Sequence, residues 1–238
     1  MPNCSTSDLP AADRRYAQHI MLNNNAARRF SGIFVDPVAR VCLRLHISPD
    51  MVTLVGTFAT CAAALYFYPH EKWFIGSLLI ALFVSFDLLD GTMARMSGRS
   101  GPWGAFLDST LDRVADGALF GGLLLGFVHA GDQLTAAAAL ACVVGGGAVS
   151  YAKARAESIG VACNVGIAER AERVMVTLAA AALYGLGVPY VLPAALWLLA
   201  VLIWVTVIQR MWHVRTSLRS VPADGEAQDA NDPRGGDS

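Results

Sequence analysis

Six long, nearly uncharged apolar runs constrain this chain more than any other feature: Met51–Phe67, Trp73–Phe86, Ala115–Ala130, Leu134–Ala152, Val174–Val188 and Tyr190–Ile208. Each approaches the roughly 20 residues that a helix needs to cross about 30 Å of hydrocarbon. Hydrophobic residues make up 55% of the chain and charged residues 16%, too little charge to solvate the surface of an ordinary soluble domain of 238 residues. The sequence therefore predicts an all-α integral membrane protein with six transmembrane helices.

Lys and Arg collect in cytoplasmic loops, so their positions give an orientation. With six spans, one side receives Arg14, Arg15, Arg28, Arg29, Arg40 and Arg44, then Arg95 and Arg99, the segment Lys153–Arg173, and Arg210, Arg215 and Arg219. The other side receives Lys72. Both termini are thus expected in the cytoplasm. The opposite turns, near Pro69–Lys72, His129–Gln133 and Leu186–Pro189, are too short to hold a site. A formal net charge of −1 provides no basic footprint, and nucleic acid is not an expected partner.

Residues 1–24 and 221–238 are polar, poor in bulky apolar side chains and expected to be disordered tails flanking a membrane domain over 25–220. Between Phe30 and Leu45, Phe30, Ile33, Phe34, Val38, Val41 and Leu45 share one helical face, and Arg29, Asp36, Arg40 and Arg44 another. This pattern predicts an interfacial amphipathic helix, broken near Asp36-Pro37, whose arginines meet anionic headgroups. Ser48-Pro49 then signals a helix start, with Ser48 as N-cap. Glycines within spans, Gly122 and Gly126 and the run Gly145–Gly147, permit close helix contact, either within the chain or between copies. The five cysteines are scattered without CxxC spacing, so they imply neither a disulfide framework nor a zinc site.

The chemistry lies in Asp87-Leu-Leu-Asp90-Gly91-Thr-Met-Ala94-Arg95, followed by Gly104-Ala-Phe-Leu-Asp108-Ser-Thr-Leu-Asp112. A charge at the bilayer centre costs on the order of 3 kcal/mol even on the lenient insertion scale, so four acids here need a cation and a place near the cytoplasmic end. Asp87 and Asp90 share one helix face, as do Asp108 and Asp112, and the short connection makes the two helices neighbours. Four carboxylates are then expected to converge on an all-oxygen site for Mg2+ or Mn2+, and two such ions would clamp a phosphoryl displacement. Any one Asp alone reads as a helix cap or an ion pair with Arg95 or Arg113. Asp116 extends the Asp108 and Asp112 face, with a structural role as open as a chemical one. Gly91, Ala94 and Gly104 lack bulk where a diphosphate or nucleotide would approach the backbone.

This stretch resembles the signature of the CDP-alcohol phosphotransferase family at all eight of its positions: Asp87, Asp90, Gly91, Ala94, Arg95, Gly104, Asp108 and Asp112. The resemblance implies that Asp87, Asp90 and Asp108 bind metal, and that Asp112 completes the site and is the catalytic base on the acceptor hydroxyl. It further implies that Gly91, Ala94, Arg95 and Gly104 lie around the CDP-lipid. Asp50 and Thr53 are expected there too, although many relatives carry Asn at the first of these positions. The substrate implied is CDP-diacylglycerol in a bacterial cell membrane, the active site is cytoplasmic, and the assembly is a homodimer.

A second cationic group comprises Ser150-Tyr-Ala-Lys153-Ala-Arg155-Ala-Glu, Glu169-Arg170-Ala-Glu172-Arg173 and Gln209-Arg210. So much charge suits an anionic acceptor, since Arg and Lys bind phosphate monoesters well, but cytoplasmic loops carry such residues in any case. These segments resemble the actinobacterial phosphatidylinositol phosphate synthases of the family. That resemblance implies inositol 1-phosphate as acceptor, with its phosphate on Ser150, Lys153, Arg173 and Arg210, Arg155 and Arg170 as neighbours, and Glu169 and Glu172 orienting the arginines. Glycerol 3-phosphate would use the same metal site. Among other classes, an aspartate-rich prenyltransferase places its acids on widely separated helices, and a transporter or proton relay would not require the small residues.

Overall fold

The computed structural model describes residues 35–98, 101–167 and 169–219, and among these every regular element is a helix. Helix α1 covers 35–44. It is followed by α2 (Pro49–Phe67), α3 (Trp73–Val84), α4 (Phe86–Met96), α5 (Pro102–His129), α6 (Gln133–Ser158), α7 (Arg170–Gly185) and α8 (Val191–Arg219). The expected tails, Phe30, Ile33 and Phe34 lie outside the described residues.

Helices form at all six expected places, and among the described residues four are long and apolar enough to cross a membrane: Pro49–Phe67, Trp73–Met96, Gln133–Ser158 and Val191–Arg219. Length and composition thus support four of the six expected spans. Helix α7 has 16 residues and opens on Arg170, Glu172 and Arg173. Helix α5 is 28 residues long, but it carries Asp108, Asp112, Arg113 and Asp116. Elsewhere the helices turn bulky apolar residues outward, including Met51, Leu54, Val55 and Phe58 on α2 and Leu198, Val201, Ile208 and both Trp197 and Trp204 on α8. Contiguous apolar surface on this scale is the lipid-facing kind.

The expected second span does not stop at Phe86. Trp73–Met96 continues as one long segment, interrupted only at Ser85 between α3 and α4. The Ser85 hydroxyl donates to the Ala81 carbonyl at 2.8 Å, a back-bond that bends helices. Asp87 and Asp90 are therefore carried on helix, as their spacing predicts.

The described residues divide into two compact units, one of 35–61 with Leu79–Ala115, the other of Ala62–Leu78 with 116–219. In the first, Ala39 of α1 is buried against Val52 and Met93, with Cys42, Leu43, Ile47, Phe86 and Leu89 around them. Val38, Val41 and Leu45 stay exposed, as an interfacial face requires. The residues before 35 lie outside the described ones, and Asp36 and Pro37, near which a break is expected, lie within the helix over 35–44. They occupy the first turn of its described part, where proline's missing N–H and fixed φ are tolerated.

In the second unit, the α2–α3 turn is anchored by Trp73, stacked on Phe127 at 5.1 Å and on Tyr68 at 5.7 Å, with Tyr184 edge-on at 5.6 Å. The Tyr68 hydroxyl and Ser77 Oγ are hydrogen-bonded at 3.1 Å. Gly122 and Gly126 serve packing within the chain: a Cβ on Gly122 would strike the Ala64 carbonyl, and one on Gly126 would lie 2.5 Å from the Trp73 ring. Gly145 likewise admits Ile203, 2.5 Å from where its Cβ would stand, whereas Gly146 and Gly147 have open space. Helix α6 begins at an Asp132 N-cap, whose carboxylate accepts from the Thr135 backbone N–H at 2.9 Å and its hydroxyl at 2.5 Å.

Candidate active site

Helix α2 begins at Pro49, whose fixed φ suits a first helical position, and Ser48 Oγ accepts from the Met51 N–H at 3.3 Å. This start sets Asp50 and Thr53 one turn apart. Both line a cavity of about 500 Å³ with Asp87, Asp90, Gly91, Ala94 and Arg95 of α4 and Gly104 and Asp108 of α5. Seven of the eight signature positions therefore share one cavity wall with the two α2 residues. Asp112, a turn beyond Asp108, is not in that lining; its carboxylate lies 3.6 Å from Arg113. Three of the four signature aspartates thus line the cavity.

The three differ in setting: Asp90 is buried, Asp87 half-buried and Asp108 exposed. Asp90 accepts from the Thr53 hydroxyl, which also lies 3.2 Å from the Pro49 carbonyl oxygen. With one proton to give, Thr53 orients an aspartate, which adds a role to the CDP-lipid contact expected of it. Asp50 accepts from the Trp103 indole N–H at 3.1 Å. Trp103, itself a lining residue, was not evident from the sequence, because a lone Trp after a proline reads as a membrane-interface residue. Arg95 is exposed and donates to Thr92 Oγ1 at 2.9 Å.

The small residues separate into two kinds. A Cβ on Gly104 would meet nothing within 4 Å, and one on Gly91 would make only ordinary contact with Arg95, at 3.6 Å. Unlike Gly122 or Gly126, neither is small for the sake of protein packing, so each keeps space inside the cavity.

The donor set is all oxygen, which fits a hard divalent ion and not zinc. Among the described residues, no three Asp, Glu, His or Cys side chains are gathered closely enough to hold a metal by themselves. The aspartates ring an open cavity, so part of an ion's shell would come from substrate phosphate or water, as is usual for Mg2+.

The cationic group lies in the second unit. Arg210 is buried and donates from Nε to the Val165 carbonyl at 2.9 Å and from a terminal nitrogen to the Val149 carbonyl at 2.5 Å. Arg173 is 1% exposed and reaches Asp116 at 3.5 Å, while Arg170 meets the same carboxylate at 3.1 Å. Ser150 donates to the Gly146 carbonyl at 3.1 Å. Lys153 is more open and lies 3.9 Å from Glu157, and Arg155 is exposed beside Ser158. Glu169 and Glu172 form a capping box at the start of α7, with the Glu169 N–H donating to Glu172 at 3.2 Å. Beyond the two glutamates expected to orient the arginines, the structure thus supplies Asp116.

Residues 46–216 match the model of the CDP-alcohol phosphatidyltransferase family, a span that takes in the aspartate cavity and the arginine group together. The chain belongs to the CDP-alcohol phosphatidyltransferases. Among its relatives within this family is the phosphatidylinositol phosphate synthase of Streptomyces avermitilis, 46% identical over 220 residues, covering 89% of this chain and 90% of that one. The synthase of Corynebacterium glutamicum is 41% identical over 186 residues, covering 77% and 85%. The crystal structure of the Mycobacterium tuberculosis phosphatidylinositol phosphate synthase with CDP-DAG bound superposes with a TM-score of 0.74 at 41% identity, covering 77% of this chain and 94% of that one. The structure of the same enzyme with manganese and citrate also gives 0.74 at 41% identity, over 77% and 90%. Together with its apolar helices, membership makes this chain a membrane enzyme.

Proposed function

We propose that this chain transfers the phosphatidyl group of CDP-diacylglycerol to the hydroxyl of an inositol phosphate, releasing CMP and forming phosphatidylinositol phosphate. The observation that carries the reading is the grouping of Asp87, Asp90, Gly91, Ala94, Arg95, Gly104 and Asp108 around one cavity, in a chain 46% identical to a phosphatidylinositol phosphate synthase.

Asp87, Asp90 and Asp108 are the residues that would hold divalent metal, Mg2+ or Mn2+, completed by Asp112 and in a pair of ions. Bound there, the metal would neutralise the diphosphate of the CDP-lipid and stabilise charge on the departing CMP. Thr53 fixes the Asp90 carboxylate through its hydrogen bond, and Trp103 fixes Asp50. Gly91 and Gly104 keep the cavity wide enough for the nucleotide, with Ala94 and Arg95 beside it. Asp112 accepts the proton of the acceptor hydroxyl. The hydroxyl oxygen forms a bond to the lipid-bearing phosphorus as the bond from that phosphorus to the CMP oxygen breaks, so atoms and charge balance.

The acceptor's phosphate is assigned to Ser150, Lys153, Arg173 and Arg210, with Arg155 and Arg170 nearby, and inositol 1-phosphate is the isomer proposed. Lys153 is the most accessible of the three cations, while Arg210 also ties α6 and the segment before α7 to α8 through two carbonyls. In the membrane we place six helices across the bilayer, with both termini and the site on the cytoplasmic side.

Purified enzyme supplied with CDP-diacylglycerol, Mg2+ and a panel of alcohols is the direct test. Release of CMP dependent on inositol 1-phosphate is expected. Turnover with glycerol 3-phosphate or free inositol, and none with inositol 1-phosphate, would overturn the acceptor assignment and leave the donor chemistry standing.

A further inference from the structure

Helix α7 opens with two arginines, Arg170 and Arg173, three residues apart in its first turn. Stability alone disfavours that arrangement. The first turn carries the positive end of the helix dipole, and like charges at this spacing repel one another. Arg173 is moreover 1% exposed, and a buried guanidinium needs a counter-charge.

Asp116 supplies it. This residue of α5 is itself 9% exposed, and its two oxygens divide between the arginines: Oδ1 lies 3.1 Å from Arg170 Nε, and Oδ2 lies 3.5 Å from a terminal nitrogen of Arg173. The bond to Arg170 runs through Nε, the nitrogen nearest the stem. It fixes the plane of the guanidinium, whose planar fork is the geometry that suits phosphate oxygens. Arg170 is the more exposed of the pair, its side chain 23% accessible against 1% for Arg173.

We propose that Asp116 is a positioning residue of the acceptor site, holding Arg170 and Arg173 in the orientation that receives the acceptor's phosphate. The inference rests on the acceptor site proposed above. Asp116 does not touch the phosphate, since a carboxylate there would repel it. It acts through the arginines, by offsetting their mutual repulsion and fixing the Arg170 plane.

The test is steady-state kinetics of purified Asp116→Asn, which keeps the shape and removes the charge. The expected result is an acceptor KM raised roughly tenfold, the scale of losing one charged hydrogen-bond partner. The KM for CDP-diacylglycerol and kcat should stay within about threefold of the parent enzyme, because uniform acceptor binding is what is lost. In a double-mutant cycle with Arg170→Gln, the two changes in acceptor KM should be non-additive, since the residues act as one unit. A purely structural role would instead lower kcat and disturb both KM values together, and that result overturns the proposal.

Lys153→Gln, a site with no tie to Asp116, separates the two levels of inference. If it raises the acceptor KM while Asp116→Asn leaves it unchanged, the positioning role fails and the acceptor site stands. If neither variant changes it, the acceptor site fails as well. Should Asp116→Asn not yield folded protein, Asp116→Glu takes its place, moving the carboxylate by one methylene. A raised acceptor KM with unchanged CDP-lipid KM then supports the proposal, and unchanged values for both overturn it.

Discussion

Asp112 shows what one side chain is asked to do in a carboxylate site. It follows Asp108 by one turn of α5, outside the cavity lining and beside Arg113 at 3.6 Å. A general base must be ionised and within reach of the attacking hydroxyl. Replacing it by Asn preserves shape and removes proton-accepting capacity. Asp112→Asn is therefore expected to abolish CMP release, about a 100-fold or greater loss by the usual worth of a general base. CDP-diacylglycerol binding, measured by calorimetry in detergent, should change little. Near-normal turnover would remove Asp112 as the base. Thr53 and Trp103 belong to the same scale, because each ties a cavity carboxylate to a fixed donor.

For the helices, the glycines discriminate between a wall kept open and a seam kept tight. Gly104 stands in the first turn of α5 with no atom within 4 Å of where a Cβ would stand, while Gly122 on the same helix abuts the Ala64 carbonyl. Gly104→Ala should leave the thermal midpoint unchanged or slightly raised, since Ala is the better helix former by roughly 0.5–1 kcal/mol, and should raise the KM for the CDP-lipid. Gly122→Ala should destabilise by about 1–3 kcal/mol through overpacking. The reverse pattern in melting and kinetic measurements would contradict this division.

The start of α6 carries a pH prediction. Thr135, through its hydroxyl first and then its N–H, holds the Asp132 carboxyl below the usual carboxylate range. A group depressed on folding contributes stability that is fully present above its unfolded pKa and lost as pH falls through its folded one. Asp132→Ala should thus cost about 1 kcal/mol at neutral pH, the worth of an N-cap, and less below about pH 4. A loss independent of pH in thermal melts would contradict the assignment to the charged cap.

Over the whole molecule, the distribution of Lys and Arg makes a prediction that no single residue can. With six helices across the bilayer, cysteines introduced near Arg95, Arg155 and Arg215 should react with impermeant maleimide only from the cytoplasmic side, and one near Lys72 only from the other. Labelling of Lys72 and Arg155 from the same side would exclude this topology. The helices that fall short as spans by length and composition are α5, which carries Asp108 and Asp112, and α7, which carries Arg170 and Arg173, whereas Asp87, Asp90, Lys153 and Arg210 stand on helices that qualify. Asp108, Asp112, Arg113 and Asp116 keep α5 below that measure, and a length of 16 residues keeps α7 below it.

By itself the sequence determined the helical class, the positions of the helices, the start of α2 and the aspartate-glycine signature. Each is local: apolar run length, an N-cap before proline and residue spacing along a helix are properties of neighbouring residues. What only the tertiary structure decided depends on residues distant in the chain. Thr53 meets Asp90 and Trp103 meets Asp50 because helix packing brings them together. Asp50 joins Asp87, Asp90 and Asp108 in the cavity lining, an arrangement that requires α2, α4 and α5 to meet. Asp116, which spacing alone left between a structural and a chemical role, lies against Arg170 and Arg173, 54 and 57 positions along the chain. No sequence periodicity encodes that pairing, because it joins two helices far apart in the chain.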